Sequence, residues 1–460
     1  MTTSTSPCST ELGLPEVRRV GSGELVRVAR AIRHGAAVRD DASSVSQRAE
    51  EIVGDVRRDG DDALLRFVRE LDGVPTLESA AALRFDVAAA TPSTTPAFRD
   101  AVDRSIDAVR RFHEPQRKWT ESYGLDLDGV WVEERVFPLR RVGLYVPGGK
   151  FPYPSTVIMS AVPAQVAGVE EIVVTTPPGA LEASDELVYV LQRLGITEVW
   201  GMGGAHAVAA LAYGTDTIAP VDLIAGPGNA WVSAGKRAVQ HVVGIDKEAG
   251  PSEVVIVADE TARADWIAMD LLAQAEHDER ALSVLVTPSN DLAASVRAEL
   301  EKQLDDLPTA AVARASLSGR GALLVTETLE DAVELAEHLA AEHQQLMGTA
   351  AEAVADHVRS AGALFIGSAT PTCFGDYAAG PSHVLPTGGT ARFSSGLSVM
   401  DFLRRSHRVR AGVDASRRLA ATVRDFAAVE GLEAHRRSAS ARARNGTSAD
   451  TSACRENDRE

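Results

Sequence analysis

The sequence contains few cysteines and no excess of basic residues. Three of its 460 residues are cysteine, and only Cys373 lies in a segment patterned like folded structure. A disulfide framework and a cysteine-based zinc motif are therefore not expected. The formal net charge of −18 disfavours a nucleic-acid ligand or an anionic membrane partner, because both bind basic surfaces.

Long apolar runs are also missing. No uncharged apolar stretch reaches the roughly 18 residues that suggest a membrane helix. Residues 1–16 are rich in Ser and Thr and lack the basic and apolar regions of a secretory signal. We therefore expect a cytoplasmic protein, and its length predicts two or three domains.

Short β-rich runs alternate with helical runs over most of the chain. Residues 44–72 and 96–113 are predicted to be amphipathic helices, because apolar side chains recur three and four positions apart. From Arg140 onwards, β-rich runs that end in Gly or Pro precede helical runs, and a second stretch of this kind begins near residue 252. This alternation is typical of parallel α/β sheets.

The two ends of the chain differ from this pattern. Residues 397–435 are predicted to be mostly helical. Residues 1–14 and 436–460 have no apolar periodicity and are predicted to be disordered.

Three glycine loops follow β-rich runs, at Tyr145–Gly149, Gly201–Gly204 and Gly226–Asn229. None has the G-x-G-x-x-G spacing of the usual dinucleotide site, and each alone is more often a tight turn. Loops after successive parallel strands meet at one edge of the sheet, where backbone amides can hold phosphate. Together they favour a nucleotide ligand without identifying it.

Polar side chains interrupt two predicted helices. Gln274 lies on or near the apolar face of its helix and His277 lies one turn later, so the two could share a metal ion or remain an ordinary amide and a half-exposed imidazole. Glu342 and His343 follow each other near the predicted end of another helix and could transfer protons. Glu337-His338 repeats the same pair five residues earlier. The pattern alone cannot choose between them.

Two further pairs of polar residues are candidates. Asp376 and His383 lie in a Gly/Pro-rich loop that follows the β-rich run GALFIGS, and such loops often carry functional residues. Glu430 and His435 lie near the C-terminus on a predicted helix, where the spacing alone indicates nothing.

Taken in order, these segments resemble the histidinol dehydrogenase family over roughly residues 40–436. The segments that carry the resemblance are RRVGLYVPGGKFPYPSTVIMSAVPAQVAGV, DLIAGPGNAWVSAGKR, VGIDKEAGPSE, AQAEHDE, AAEH, GDYAAGPSHVLPT with ARFSSGLSV, and EGLEAH. The resemblance implies an NAD- and zinc-dependent alcohol dehydrogenase that oxidises a small amino alcohol, L-histidinol, through histidinal to L-histidine. This is the last step of histidine biosynthesis.

The resemblance also assigns residues to roles. It implies that Glu342 and His343 are the catalytic pair and that zinc is bound by Gln274, His277, Asp376 and His435. It implies substrate binding by Ser252, Gln274, His277, His343, Asp376, His383, Glu430 and His435. It implies NAD binding by Tyr145, His206 and Asn229.

The implied fold consists of two incomplete Rossmann-like parallel-sheet domains with small helical N- and C-terminal pieces. Residues 15–144 with 252–396 are expected to form the first domain, and residues 145–251 the second, on the NAD side. Residues 397–435 would reach the other subunit of a homodimer, so that Glu430 and His435 would act across the interface.

The sequence departs from the family pattern at several positions. His206 stands where a glutamine is usual, Gln344 and Gln345 replace an apolar and an acidic residue beside the base, and Ser382 replaces an amide. The segment before GDY reads PTCF. A related zinc- and NAD-dependent enzyme for another small polar alcohol is therefore an alternative, as is a catalytically silent scaffold, which the intact predicted site disfavours.

Overall fold

The computed structural model describes residues 13–33, 40–148 and 152–444. Most of the predicted disordered ends, and Gly149 of the first glycine loop, lie outside these residues. Backbone contacts divide the chain into two units, Met1–Arg117 with Leu139–Phe402, and Lys118–Pro138 with Leu403–Glu460. Among the described helices, none combines the length and apolar character needed to cross a membrane.

Both units of the chain contain strands and helices. The strands of the described residues are β1 (Val17–Arg19), β2 (Arg84–Phe85), β3 (Tyr123–Asp126), β4 (Val130–Pro138), β5 (Arg141–Tyr145), β6 (Glu171–Thr176), β7 (Glu198–Gly201), β8 (Leu223–Ala225), β9 (Gly244–Ile245), β10 (Glu253–Ala258), β11 (Leu282–Thr287), β12 (Ala322–Val325), β13 (His343–Met347), β14 (Ala363–Ile366) and β15 (Leu403–Ala411). The helices are α1 (Leu25–Arg33), α2 (Asp40–Leu71), α3 (Pro96–His113), α4 (Pro154–Ala167), α5 (Pro178–Ala183), α6 (Asp185–Arg193), α7 (Gly204–Tyr213), α8 (Ala230–Val239), α9 (Ala264–Ala275), α10 (Asn290–Leu304), α11 (Ala310–Arg320), α12 (Leu329–Leu339), α13 (Thr349–Ala353), α14 (Cys373–Tyr377), α15 (Val413–Val429) and α16 (Glu433–Arg444).

The first sheet is entirely parallel. Its strand order is β1-β12-β11-β10-β13-β14. Every residue of β10 is buried, and successive side chains alternate between two apolar clusters. Helices therefore cover both faces, which is why the strand reads as a continuous apolar run.

The second sheet has the order β2-β7-β6-β5-β8-β9, and only the short β2 is antiparallel to its neighbour. Its core includes apolar side chains of α2, α7 and α8. The predicted α/β class with two parallel sheets is confirmed, as are the helices predicted for residues 44–72 and 96–113.

The structure divides the chain differently from the sequence prediction. Residues 15–144 were assigned to the first domain, but α2 packs in the core of the second sheet, and β2 and β5 are strands of that sheet. Of the described residues within 15–144, the segment from β1 to α1 is the part that joins the first sheet. An amphipathic stripe shows that a helix covers a core, but it does not show which sheet the helix covers.

The second unit consists of β3, β4, β15, α15 and α16. Strand β15 pairs antiparallel with β4 over its whole length. Residues 397–435 are mostly helical as predicted, but the prediction missed this strand. Helix α16 extends to Arg444, so the predicted disorder from residue 436 is wrong up to that residue. Glu433 forms ion pairs with Arg436 and Arg437 one turn away, and these stabilise a helix that lacks an apolar period.

Candidate active site

The predicted catalytic pair lies at the amino end of a strand and not on a helix. Helix α12 ends at Leu339, because Ala340 adopts a left-handed conformation with φ of 45°. His343 is the first residue of β13, which is parallel to β10, and β10 begins at Glu253. Glu342 and His343 therefore lie at the amino edge of the first sheet. The expected helix end was wrong, since no glycine or proline signals the turn at Ala340.

Glu342 is buried, with 7% of its surface exposed. Its Oε2 accepts a hydrogen bond from the backbone N–H of Glu253 at 2.9 Å. Burial raises the pKa of Glu342 well above its usual range; this hydrogen bond opposes the rise, while the carboxylates of Glu253 and Asp376 add to it. Glu342 therefore keeps its proton to a higher pH than an ordinary glutamate, and its carboxylate is a stronger base once formed.

A buried ion pair that the sequence analysis missed contacts Glu342 and His343. Arg33 of α1 contacts the carboxylate of Glu253, and their side chains are only 9% and 3% exposed. Arg33 also donates to the carbonyl of Leu339, and the N–H of Gly388 donates to Glu253 Oε1 at 3.1 Å. Glu253 is the last residue of the AGPSE segment and the first residue of β10. A charged residue at the start of an apolar strand was the sequence signal that could have identified it. Arg33 gave no such signal.

His343 is oriented by its backbone neighbour. Its Nδ1 lies 3.1 Å from the carbonyl of Glu253, which can only accept, so Nδ1 carries the proton and Nε2 has a lone pair. Within the described residues Nε2 has no hydrogen-bond partner, and it lies 3.9 Å from Asp376 Oδ1. Burial lowers the pKa of His343, while Asp376 raises it. The ring is therefore a neutral base whose basic nitrogen is available to a substrate.

Other predicted site residues gather around this nitrogen. His383 Nδ1 lies 3.0 Å from the carbonyl of Asp376, and its Nε2 lies 3.1 Å from Thr156 Oγ1. Burial lowers the pKa of His383, Asp376 raises it and His277 lowers it. His277 also lowers the pKa of His343. The charges of these side chains are thus close enough to shift one another's pKa. Asp376 and His383 belong to the segment 367–384, which follows β14, whereas His343 belongs to β13.

The predicted metal ligands are only partly collected in the first unit. Within the described residues there is no group of three or more His, Cys, Asp and Glu side chains that could hold a metal ion. The first unit supplies an amide, an imidazole and a carboxylate through Gln274, His277 and Asp376. Gln274 is 4% exposed, and its Nε2 has no partner in the described chain. A buried amide with an unused polar atom is consistent with a ligand at this place.

A cavity of about 550 Å³ opens beside His277. Side chains of α3 and α4 form much of its wall, with His277, Tyr153 and Tyr377 among the polar groups. Burial raises the pKa of both tyrosines, so their hydroxyls stay protonated and can donate hydrogen bonds. The cavity has room for a small molecule next to the predicted ligands.

The glycine loops meet at the carboxyl edge of the second sheet, as expected. The hydroxyl of Tyr145 accepts a hydrogen bond from the N–H of Gly204 at 3.2 Å, and burial raises the pKa of this hydroxyl to about 12. Gly226 has a φ of 111°, and a Cβ there would lie 2.2 Å from the carbonyl oxygen of Tyr145. Asn229 caps α8 by accepting from the N–H groups of Trp231 and Val232.

His206 is engaged by a residue that the sequence analysis did not select. Its Nε2 lies 2.9 Å from Asp72 Oδ2, and the same oxygen accepts from the N–H of Gly203 at 3.0 Å. His206 is 1% exposed. Asp72 directly follows α2, far from the loop in sequence, so no local pattern connected the two.

Three predicted residues remain to be located. Ser252 is half-buried and immediately precedes β10. Glu430 at the end of α15 and His435 in α16 are exposed and belong to the second unit. In the alternative pair, Glu337 accepts from two backbone N–H groups of the turn at 359–360, and His338 lies beside another carboxylate at the surface of α12.

Comparisons with known proteins agree on one family. A family model described as histidinol dehydrogenase matches residues 36–443. The histidinol dehydrogenase of Geobacillus kaustophilus is 46% identical over 86% of this chain and 93% of its own, and that of Bradyrhizobium diazoefficiens is 47% identical over 88% and 94%. The crystal structure of histidinol dehydrogenase from Elizabethkingia anophelis has a TM-score of 0.81 at 28% identity, over 95% of this chain and 99% of that one.

Proposed function

Because the chain belongs to the histidinol dehydrogenase family, we propose that it oxidises L-histidinol through histidinal to L-histidine with two molecules of NAD, in the last step of histidine biosynthesis. The observation that carries the proposal is the buried, neutral His343, whose basic Nε2 is unused and faces Asp376, with Glu342 beside it. The alternative of a different small polar alcohol is not favoured by this family membership.

Zinc would be held by Gln274, His277 and Asp376, with His435 as the fourth ligand. The nitrogen and oxygen donors suit zinc, and the unused amide of buried Gln274 supports the assignment. When bound, zinc would orient the amino alcohol and lower the pKa of its hydroxyl. His435 and Glu430 would come from the partner subunit, which makes a homodimer part of the proposal. A cytoplasmic location is also proposed, from the membership of this family.

NAD would bind at the carboxyl edge of the second sheet, with contacts from Tyr145, His206 and Asn229. Asp72 Oδ2 accepts a hydrogen bond from the N–H of Gly203 and lies 2.9 Å from His206 Nε2, so this carboxylate orients the His206 ring at the edge where NAD would bind. The side-chain carbonyl oxygen of Asn229 already caps α8, which leaves its side-chain NH2 group for a ligand.

In the first oxidation His343 accepts the hydroxyl proton at Nε2, while the carbon-bound hydrogen leaves with its electron pair as hydride to NAD. The product is the aldehyde. The carbonyl of Glu253 keeps the Nδ1 proton in place, so the ring presents its basic nitrogen to the substrate throughout.

In the second oxidation Glu342, as the carboxylate, accepts a proton from water as the water adds to the aldehyde carbon. His343, after releasing its first proton, accepts the hydrate's hydroxyl proton as a second hydride passes to a second NAD. The products are the carboxylate of the amino acid and a second NADH, with one proton on Glu342 and one on His343. Retaining the aldehyde in one buried site keeps both steps together.

The test is NADH formation by the zinc-loaded protein with L-histidinol. We expect two NADH per histidinol, loss of activity with a chelator and recovery with zinc. His343→Gln should lower kcat by about two to four orders of magnitude, the range for loss of a general base. His338→Gln, at the exposed histidine of the alternative pair, should leave kcat unchanged. No NADH from the zinc-loaded wild type, or equal effects of the two substitutions, would refute the proposal.

A further inference from the structure

The side chain of Gln345 joins three segments of the first unit. Its Nε2 donates to Asp270 Oδ2 at 2.8 Å and to the carbonyl of Thr370 at 3.2 Å. Asp270 belongs to α9, and Thr370 belongs to the loop that leads into α14. Gln345 is completely buried, so these hydrogen bonds form away from solvent. Their loss would leave buried polar groups without partners.

Each of these segments carries a residue of the proposed site. Gln345 is two residues after His343, so the two side chains lie on the same face of β13. Asp270 is four residues before Gln274, so the two lie on the same face of α9. The loop of Thr370 continues into α14, which carries Asp376. One amide therefore connects the strand of the base to the two segments that carry proposed metal ligands.

The orientation of the amide is determined by its neighbours. Both atoms within reach of Nε2 are acceptors, a carboxylate oxygen and a backbone carbonyl, so a reversed amide would place three oxygens together. Burial raises the pKa of Asp270, and the hydrogen bond from Gln345 opposes that rise. Gln345 thus helps to keep Asp270 ionised and bonded inside the fold.

We propose that Gln345 is a positioning residue, which sets the placement of Gln274 and Asp376 relative to His343 through Asp270 and Thr370. It touches neither the substrate nor the metal. The inference rests on the zinc site of the proposed function, and it goes beyond that function by assigning a role to a residue outside the ligand and catalytic sets.

The adjacent Gln344 provides a matched control. It is also completely buried in β13, but its side chain faces the opposite side of the sheet. Within the described residues neither atom of its amide has a hydrogen-bond partner. Gln344→Met and Gln345→Met make the same chemical change one position apart, and methionine preserves the length of the side chain.

The experiment measures zinc affinity of the full chain by competition with a chromophoric chelator. Gln345→Met should weaken zinc binding by about tenfold to a hundredfold, the usual effect of removing a group that orients metal ligands. Gln344→Met should stay within about threefold of the wild type. Circular dichroism at the assay temperature identifies variants that fail to fold.

Two variants of Asp270 complete the test. Asp270→Asn keeps an acceptor oxygen for Gln345 and should retain most of the zinc affinity. Asp270→Leu should weaken zinc binding, but by no more than Gln345→Met, because the hydrogen bond from Gln345 to Thr370 remains. The double variant Asp270→Leu/Gln345→Met should bind zinc no more weakly than Gln345→Met alone, because Gln345→Met already removes the contact with Asp270. Additive losses would overturn the proposed coupling.

The outcomes separate this inference from the proposed function. Wild-type protein that binds zinc, with Gln345→Met and Gln344→Met both near its affinity or equally weakened, would overturn only the role of Gln345. Wild-type protein that binds no zinc would refute the metal site of the proposed function and this inference together.

Discussion

Replacing Arg33 by methionine removes one partner of the buried ion pair beneath the proposed catalytic residues. The side chains of Arg33 and Glu253 are 9% and 3% exposed, so neither charge is well hydrated. Within the part of the chain that the structure describes, the substitution would leave the Glu253 carboxylate with the N–H groups of Gly388 and Glu342 as hydrogen-bond partners. Breaking a buried pair from one side costs about 3–5 kcal/mol, because an uncompensated charge remains. We expect the free energy of unfolding to fall by about this amount.

Arg27 on the same helix is the control. It pairs with Glu24 one turn away, and the two side chains are 67% and 43% exposed. Arg27→Met removes the same charge from the same helix and should cost only about 0–1 kcal/mol, since water replaces the lost partner.

The assay is urea unfolding at neutral pH, followed by circular dichroism, with Glu253→Gln/Arg33→Met as a third variant. Removing both charges should recover part of the stability lost in Arg33→Met, because no unpaired carboxylate remains. Equal losses from Arg33→Met and Arg27→Met, or no recovery in the double variant, would show that burial does not govern this pair.

Three further predictions concern other parts of the first unit. Gly226→Ala should lower the free energy of unfolding by at least about 1–3 kcal/mol, the cost of a strained backbone, because φ is positive and a Cβ would lie 2.2 Å from the carbonyl oxygen of Tyr145. Gly179→Ala should leave the free energy of unfolding unchanged, because a Cβ there has nothing within 4 Å. Urea unfolding of both variants tests this. Asp259→Asn should cost about 1.5–3 kcal/mol at neutral pH. Burial alone would raise the pKa of Asp259, but its hydrogen bonds outweigh burial and lower this pKa. The stabilisation by Asp259 is therefore complete above about pH 4 and is lost as the pH falls through the pKa of Asp259 in the folded protein. A stability difference between wild type and Asp259→Asn that persists unchanged in acid would contradict this. Asp72→Ala should raise the KM for NAD about tenfold, as expected for a lost charge-assisted hydrogen bond, without changing zinc affinity, and a steady-state NAD titration that shows no change would refute the role of Asp72.

The sequence was sufficient for the local elements of the first unit. The apolar spacing of α2 and α3 and the β-rich runs of the second sheet predict elements that the structure contains. The capping residue of α12, Thr328, accepts a hydrogen bond from the N–H of Asp331, as its position at the helix start favours. Each of these signals depends on residues within one or two turns, which is why a single sequence reveals them.

The position of the proposed catalytic pair could not be read in the same way. The segment LAAEH continues a helical pattern, yet the backbone turns at Ala340 and places His343 on a strand between β10 and β14. Strand β15 was missed for a related reason. Its arginines and histidine resemble a solvated segment, and only pairing with β4, more than two hundred residues away, makes it a strand.

The sequence by itself determined the class of the fold, the family and the identities of the predicted site residues, because motifs and periodicity are local properties of the chain. Only the tertiary structure decided which sheet each helix covers and which side chains support the site. Arg33 meets Glu253 across 220 positions, Asp72 meets His206 across 134, and Asp270 meets Gln345 across 75. Such contacts depend on how distant segments pack together, and no local pattern encodes that packing.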